Sequence, residues 1–190
     1  MNSSYEQKHP LYAASFTKRR KAMDLYEGGE RIEGNRAYLT RHTYESDKQY
    51  DIRASRATYR NFAAPIVDVF ASFINEGRPE RILPDALRPI EADADRYGIT
   101  ADAFFADVTR LAAAGGARFV IVDMEQKKGE TVAEDRASGR RMVPYFTSIS
   151  PDDVWDWGMD AKGLAWAVIH SEEMEHLSII HISEPTRPEP

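Results

Sequence analysis

The 190-residue chain contains no cysteine. That excludes disulfide frameworks, thiolate nucleophiles and Cys-ligated zinc, and it fits a reducing cytoplasm. Long apolar runs are also missing. The longest, 119–122 and 164–169, fall far short of the ~20 residues that cross a bilayer. The opening MNSSYEQKHP shows no apolar stretch of the secretory-signal type. Positive charge is in deficit as well: the net charge is −6, whereas tight static binding to DNA draws on clustered Lys and Arg. No glycine-rich phosphate loop, no His-Glu-x-x-His pair and no Ser/His/Asp set with a meaningful spacing is present. Internal repeats are absent too.

What remains is the composition of a globular protein of ordinary domain size, 42% hydrophobic and 29% charged. Residues 11–27 read as a first helix closed by Gly28-Gly29. Lys18, Arg19, Arg20 and Lys21 form a basic run on it, expected to be a solvated face. Gly34-Asn35 marks a turn. Tyr50, Ala54 and Ala57 then follow helical spacing, and Phe62, Ile66, Val69, Phe70 and Phe73 continue an apolar face. Because the period carries through Pro65, a single long helix kinked there is expected over this stretch. Arg53, Arg56 and Arg60 form a second stripe at the same period. The stripe is expected to face solvent or to pair with Glu45 and Asp47; the alternative is pairing with acids of a neighbouring subunit.

Pro84-Asp85 starts a short helix, and Thr100 caps another whose apolar stripe is Phe104, Val108 and Leu111, stopped by Gly115-Gly116. Residues 118–123 read as a buried strand ending in Asp123. At the carboxyl end of a strand, Asp123 is the one candidate acid for a small α/β enzyme; no partner residue accompanies it. Residues 126–141 read as an exposed charged loop. Val143, Tyr145, Thr147 and Ile149 alternate as a half-buried strand. Ser150-Pro151-Asp152-Asp153 reads as a turn or single helical turn, 158–163 as a further turn, and Leu164, Trp166 and Val168 alternate again. The expected fold class is therefore α+β: helices first, then a small, mainly antiparallel sheet from about residue 117.

Asp152, Asp153, Asp156 and Asp160 lack the offsets of a calcium loop. His170 and His176 are six apart, without the spacing that sets two imidazoles on one helical face. His9, His42 and His181 are isolated. Trp155, Trp157 and Trp166 have no interleaved basic residues, so they are expected to pack a β unit, not to stack bases. No catalytic, cofactor-binding or metal-binding residue is assigned.

Two segments carry a family resemblance. The first, 36–74, runs from Tyr38-Leu39-Thr40-Arg41 through Glu45 into Arg53-Ala-Ser-Arg56-Ala57-Thr-Tyr59-Arg-Asn61 and a bulky apolar run. The second, 141–170, has a Pro-Tyr strand, a Ser-Pro-acidic turn, a Trp-containing strand and Gly163-Leu-Ala-Trp166. In order and spacing these resemble the portal proteins of tailed bacteriophages, the head–tail connector at the capsid vertex. The resemblance implies the wing portion of a portal subunit and self-association into a dodecameric ring. It implies contacts with terminase, capsid and tail or adaptor proteins. Double-stranded DNA would pass through during DNA packaging without sequence-specific binding. The implied location is the virion, after assembly in the host bacterial cytoplasm, with no membrane, no cofactor and no catalysis of its own. A short head-completion adaptor is the alternative within the same setting.

Residues 177–187, LSIIHISEPTR, resemble a translated transposon-end sequencing adapter with Ile179 as the one mismatch. The expected organisation is thus 1–176 as the N-terminal portion of a longer portal-like protein, a truncated fragment lacking stem and clip, and 177–190 as a non-native tail.

Overall fold

The computed structural model describes residues 7–77, 79–125, 131–137 and 142–170. The expected tail at 177–190, His176 and His181 lie outside them. Helix α1 (Pro10–Glu27) starts with proline at its first position, and the His9 ring nitrogen accepts from Leu11 N–H at 3.2 Å. It ends at Gly28, whose φ of 69° and ψ of −149° suit glycine alone. Helix α2 (Asp47–Arg56) opens with a capping box in which Ser46 and Gln49 each take the other's backbone N–H. Helix α3 (Ala63–Ile74) follows, then the short α4 (Pro89–Ala92) and α5 (Ala101–Gly115). Thr100 Oγ1 caps α5 by accepting from Ala103 N–H, and Gly116 ends it in the left-handed region.

Strand β1 (Phe119–Asp123) pairs antiparallel with β2 (Tyr145–Ile149), with Phe119 opposite Ile149. Between them lies a one-and-a-half-turn helix, α6 (Val132–Ala137). A second antiparallel pair, β3 (Val154–Asp160) and β4 (Gly163–Ile169), forms its own hairpin. The α+β class, with helices preceding small antiparallel sheets, is as the sequence implies.

A small core joins sheet and helix: Ala94, Ala101 and Phe104 are buried, with Phe105, Val108, Val120 and Phe146 packed against them. Phe104, Phe105 and Phe146 form an aromatic triangle with centroids 5.3–5.7 Å apart. Phe146 N–H donates to Ala94 carbonyl at 2.7 Å and locks the strand to the loop before α5.

Four local expectations are corrected. The stretch 47–74 is two helices, not one kinked helix. Backbone 57–62 is non-helical, and Pro65 falls in the first turn of α3, where its missing N–H leaves nothing unpaired. Strand β1 is not buried: Phe119 is exposed on the face turned away from Val120 and the core, and Val122, on the Val120 face, is exposed near the strand's end, because the small core covers one side of the two-stranded sheet and not its full length. The segment 126–141 is not wholly loop. Within it, Thr131 and Glu134 exchange capping hydrogen bonds and start α6. The last turn is two residues long, at 161–162, and Gly158 belongs to β3. Glycine is required there, because a Cβ would overlap the Trp166 indole lying across the strand.

Candidate assembly surface

The segment 36–61 is built around Tyr50. Its ring is buried, and the guanidiniums of Arg36, Arg53 and Arg41 lie 5.2, 5.4 and 6.0 Å from its centroid. The Tyr50 hydroxyl donates to Leu39 carbonyl at 2.9 Å. Arg53 makes a bidentate pair with Glu45, at 2.8 and 2.7 Å, and also donates to Thr40 carbonyl. The hydrogen bonds from Arg53 hold the Glu45 carboxyl down at about 2, against an ordinary 4.5. Arg53 is thereby spent inside the chain. Asp47 pairs with Arg41 at 2.7 Å and not with the stripe. Arg56 and Arg60 are exposed and have no ion pair among the described residues.

The Tyr-x-Asn end of the motif fixes how the next helix leaves. Tyr59 hydroxyl donates to Leu25 carbonyl at 2.7 Å, and Asn61 Nδ2 donates to Tyr26 carbonyl at 2.6 Å. Both carbonyls belong to the last turn of α1, which has no intrahelical donor for them. Asn61 Oδ1 in turn accepts from Ala64 N–H at 2.9 Å, satisfying the first turn of α3. One amide joins the end of α1 to the start of α3. Tyr26 hydroxyl adds a 2.7 Å bond to Asp68. At the buried Asp24, Tyr38 hydroxyl donates to Oδ2 at 2.6 Å, which raises the phenol's pKa. A cavity of about 140 Å³ remains between Ile32–Leu39 and Ala54–Tyr59, and an open groove of about 740 Å³ runs along Tyr44, Ile52 and Arg56.

Held in this way, α3 turns its small side inward. Ala71 is 4% exposed, with Ala64 and Val67 half-buried on the same side. The bulky stripe faces out: Phe62, Phe70 and Phe73 are 64–70% exposed, and Ile66, Val69 and Ile74 more than half. At 150–250 Å² per aromatic side chain, the three phenylalanines alone present on the order of 300–500 Å². That is as large as the largest patch a typical monomer leaves open.

The other candidate positions do not converge on chemistry. Asp123 is exposed at the end of a two-stranded antiparallel sheet, accepting from Tyr145 hydroxyl at 2.8 Å and Met124 N–H at 2.7 Å. It lines neither the cavity nor the groove. Asp152 pairs with Arg19 at 3.4 Å, and Asp156 and Asp160 accept from nearby backbone N–H groups. Among the described residues no three His, Asp or Glu side chains gather as a metal site. Trp157 stacks on His9 at 4.0 Å and packs the hairpin onto the start of α1, whereas Trp155 stacks on His170 just after β4, at 4.1 Å, with Lys8 Nζ 4.5 Å from its ring. Among the described residues no helix is long and apolar enough to cross a membrane. No protein-family model matches the chain, and no curated protein matches it.

Proposed function

We propose that this chain is a structural subunit of a phage portal, assembling through its own surfaces into a ring at the capsid vertex. In that role it passes DNA, docks terminase and tail proteins, resides in the virion and catalyses nothing. The observation that carries the reading is the outward apolar face of α3. A helix that keeps alanines inside and phenylalanines outside has its bulky side committed to another surface. The motif order of 36–74 and 141–170 supplies the particular assembly. The motif's polar residues supply a reason for its spacing, because Tyr59 and Asn61 serve to present α3 while Arg53 fixes the segment that leads to them. Light scattering of the purified chain over a concentration series, with electron microscopy of the largest species, tests the proposal. Closed oligomers are expected. A protein that stays monomeric at its solubility limit would overturn it.

A further inference from the structure

The third tryptophan does not pack as its two neighbours do. Trp155 and Trp157 are stacked on His170 and His9, and Lys8 Nζ lies over the Trp155 ring. Trp166 has no such ring or cation partner among the described residues and is 45% exposed. Its placement follows from the hairpin register. Asp156 pairs with Val168, Trp157 with Ala167 and Gly158 with Trp166. Side chains alternate along a strand, so Asp156, Asp160 and Trp166 share the Gly158 face, while Trp157 and Met159 take the other. The register shifts between Gly158 and Met159, so Leu164, opposite Met159, belongs to that other face as well. Trp157 meets the start of α1 through His9, which makes the Trp166 face the outer one.

Gly158 decides what this outer face presents. With no Cβ beneath it, the Trp166 indole lies across the strand, one side covered and the other open. Asp156 and Asp160 stand two residues to either side of Gly158, about 7 Å along the strand. Each spends one oxygen on a neighbouring backbone N–H. Asp156 Oδ1 accepts from Trp157 at 2.9 Å, and Asp160 Oδ1 accepts from Lys162 at 2.7 Å. Neither carboxylate is in an ion pair among the described residues, which leaves Oδ2 of each without a partner there. Lys162 is the only cation of the hairpin, and it makes no cation–π contact with the indole.

We infer that this face binds an arginine side chain carried by a basic partner segment. The open side of an indole attracts a cation. A guanidinium is planar and weakly hydrated, so it stacks on the ring while its in-plane N–H donors reach sideways to a carboxylate at either end. An ammonium is a point charge and cannot do both. A purely apolar partner would bury two carboxylates without compensation, and an anion would be repelled by them. The chain already uses this chemistry internally. The guanidiniums of Arg36 and Arg53 lie over the Tyr50 ring, and Arg53 pairs with Glu45 at the same time. Trp166 with Asp156 and Asp160 repeats the acceptor half of that arrangement on the outside of the molecule. The site does not depend on ring formation.

Fluorescence anisotropy of a fluorescein-labelled peptide of alternating glycine and arginine, titrated with the full chain, tests the site. The same peptide with citrulline in place of arginine keeps the shape and loses the charge. The arginine peptide is expected to bind about tenfold more tightly than the citrulline one. Trp166→Leu removes the π-face and should weaken arginine-peptide binding about tenfold. Asp156→Asn together with Asp160→Asn keeps both Oδ1 acceptors, and hence the hairpin, and should weaken it about as much. Glu30→Gln with Glu91→Gln removes the same charge at exposed positions elsewhere and should leave binding within about twofold. Equal binding of the citrulline peptide, or undiminished binding by the Trp166→Leu chain, overturns the inference. So does an equal loss in the glutamine pair, which marks general attraction to an acidic protein. A change in oligomer mass on Trp166→Leu, read by light scattering, makes the occupant a second copy and overturns it as well. A monomeric wild-type protein that binds the peptide removes the ring and leaves this site standing.

Discussion

Asn61 is the residue on which most of the arrangement turns. Its amide donates to the end of α1 and accepts from the start of α3. Asn61→Ala leaves one carbonyl and one N–H without those partners and should destabilise the fold by about 1–3 kcal/mol in urea unfolding. Gly28 stands against the same amide: a Cβ there would lie 3.3 Å from Asn61 Nδ2 and force a side chain into a glycine-only conformation. Glu45 titrates far below its ordinary value, so the sign of its pH dependence is fixed. Its pairing with Arg53 stabilises the fold fully above about 4.5, and that contribution is lost as pH falls toward about 2. A carboxyl titration by NMR should place Glu45 low in the wild type and near the ordinary range in Arg53→Lys, since an ammonium cannot reproduce the bidentate geometry. Of these partners, Glu45 was legible in the sequence as a mate for the arginine stripe, whereas those of Asn61 and Gly28 were not. The motif Arg-x-x-Arg-Ala-x-Tyr-x-Asn shows spacing, but whether Tyr59 and Asn61 face solvent or another helix depends on where α1 ends in space.

At the scale of the element, capping chemistry was the most readable signal. Thr100 and Gly116 mark boundaries read correctly from local backbone needs, and Pro10 and Ser46 carry the same kind of signal at two starts the sequence reading did not place. Thr131-x-x-Glu134 carried the same signal inside a stretch whose charge alone suggested a loop. The unbroken apolar period through Pro65 misled, because side-chain periodicity says nothing about the backbone between two helices that happen to stay in phase. The placement of Pro65 in the first turn is checkable. Pro65→Ala should shift stability by less than about 1 kcal/mol, whereas removal of a mid-helix proline would restore about 3 kcal/mol. The burial of β1 was likewise out of reach, since a run of four apolar residues reads the same whether a sheet is covered on one face or two.

For the whole molecule, the α+β class follows from pattern, but the division into two separate two-stranded sheets does not. The apolar stripe of α3 was visible in the sequence; which side faces in is decided by packing against α1 and α5. Self-association through the α3 face should depend chiefly on apolar contact. Raising salt from low to physiological strength is expected to weaken it only modestly, since the buried apolar area is unaffected by screening. Analytical ultracentrifugation at two ionic strengths checks this.

Helix α1 has one further consequence. It sets the turn between the α3 face and the β3–β4 hairpin, through Asn61 at one end and the His9–Trp157 stack at the other. In a head-to-tail series, that turn per copy decides whether successive copies return to their starting point or spiral onward. In the proposed ring, the helix would act as a protractor for subunit number. Changes that loosen either attachment, while sparing the α3 face, should convert closed particles into open chains of variable length.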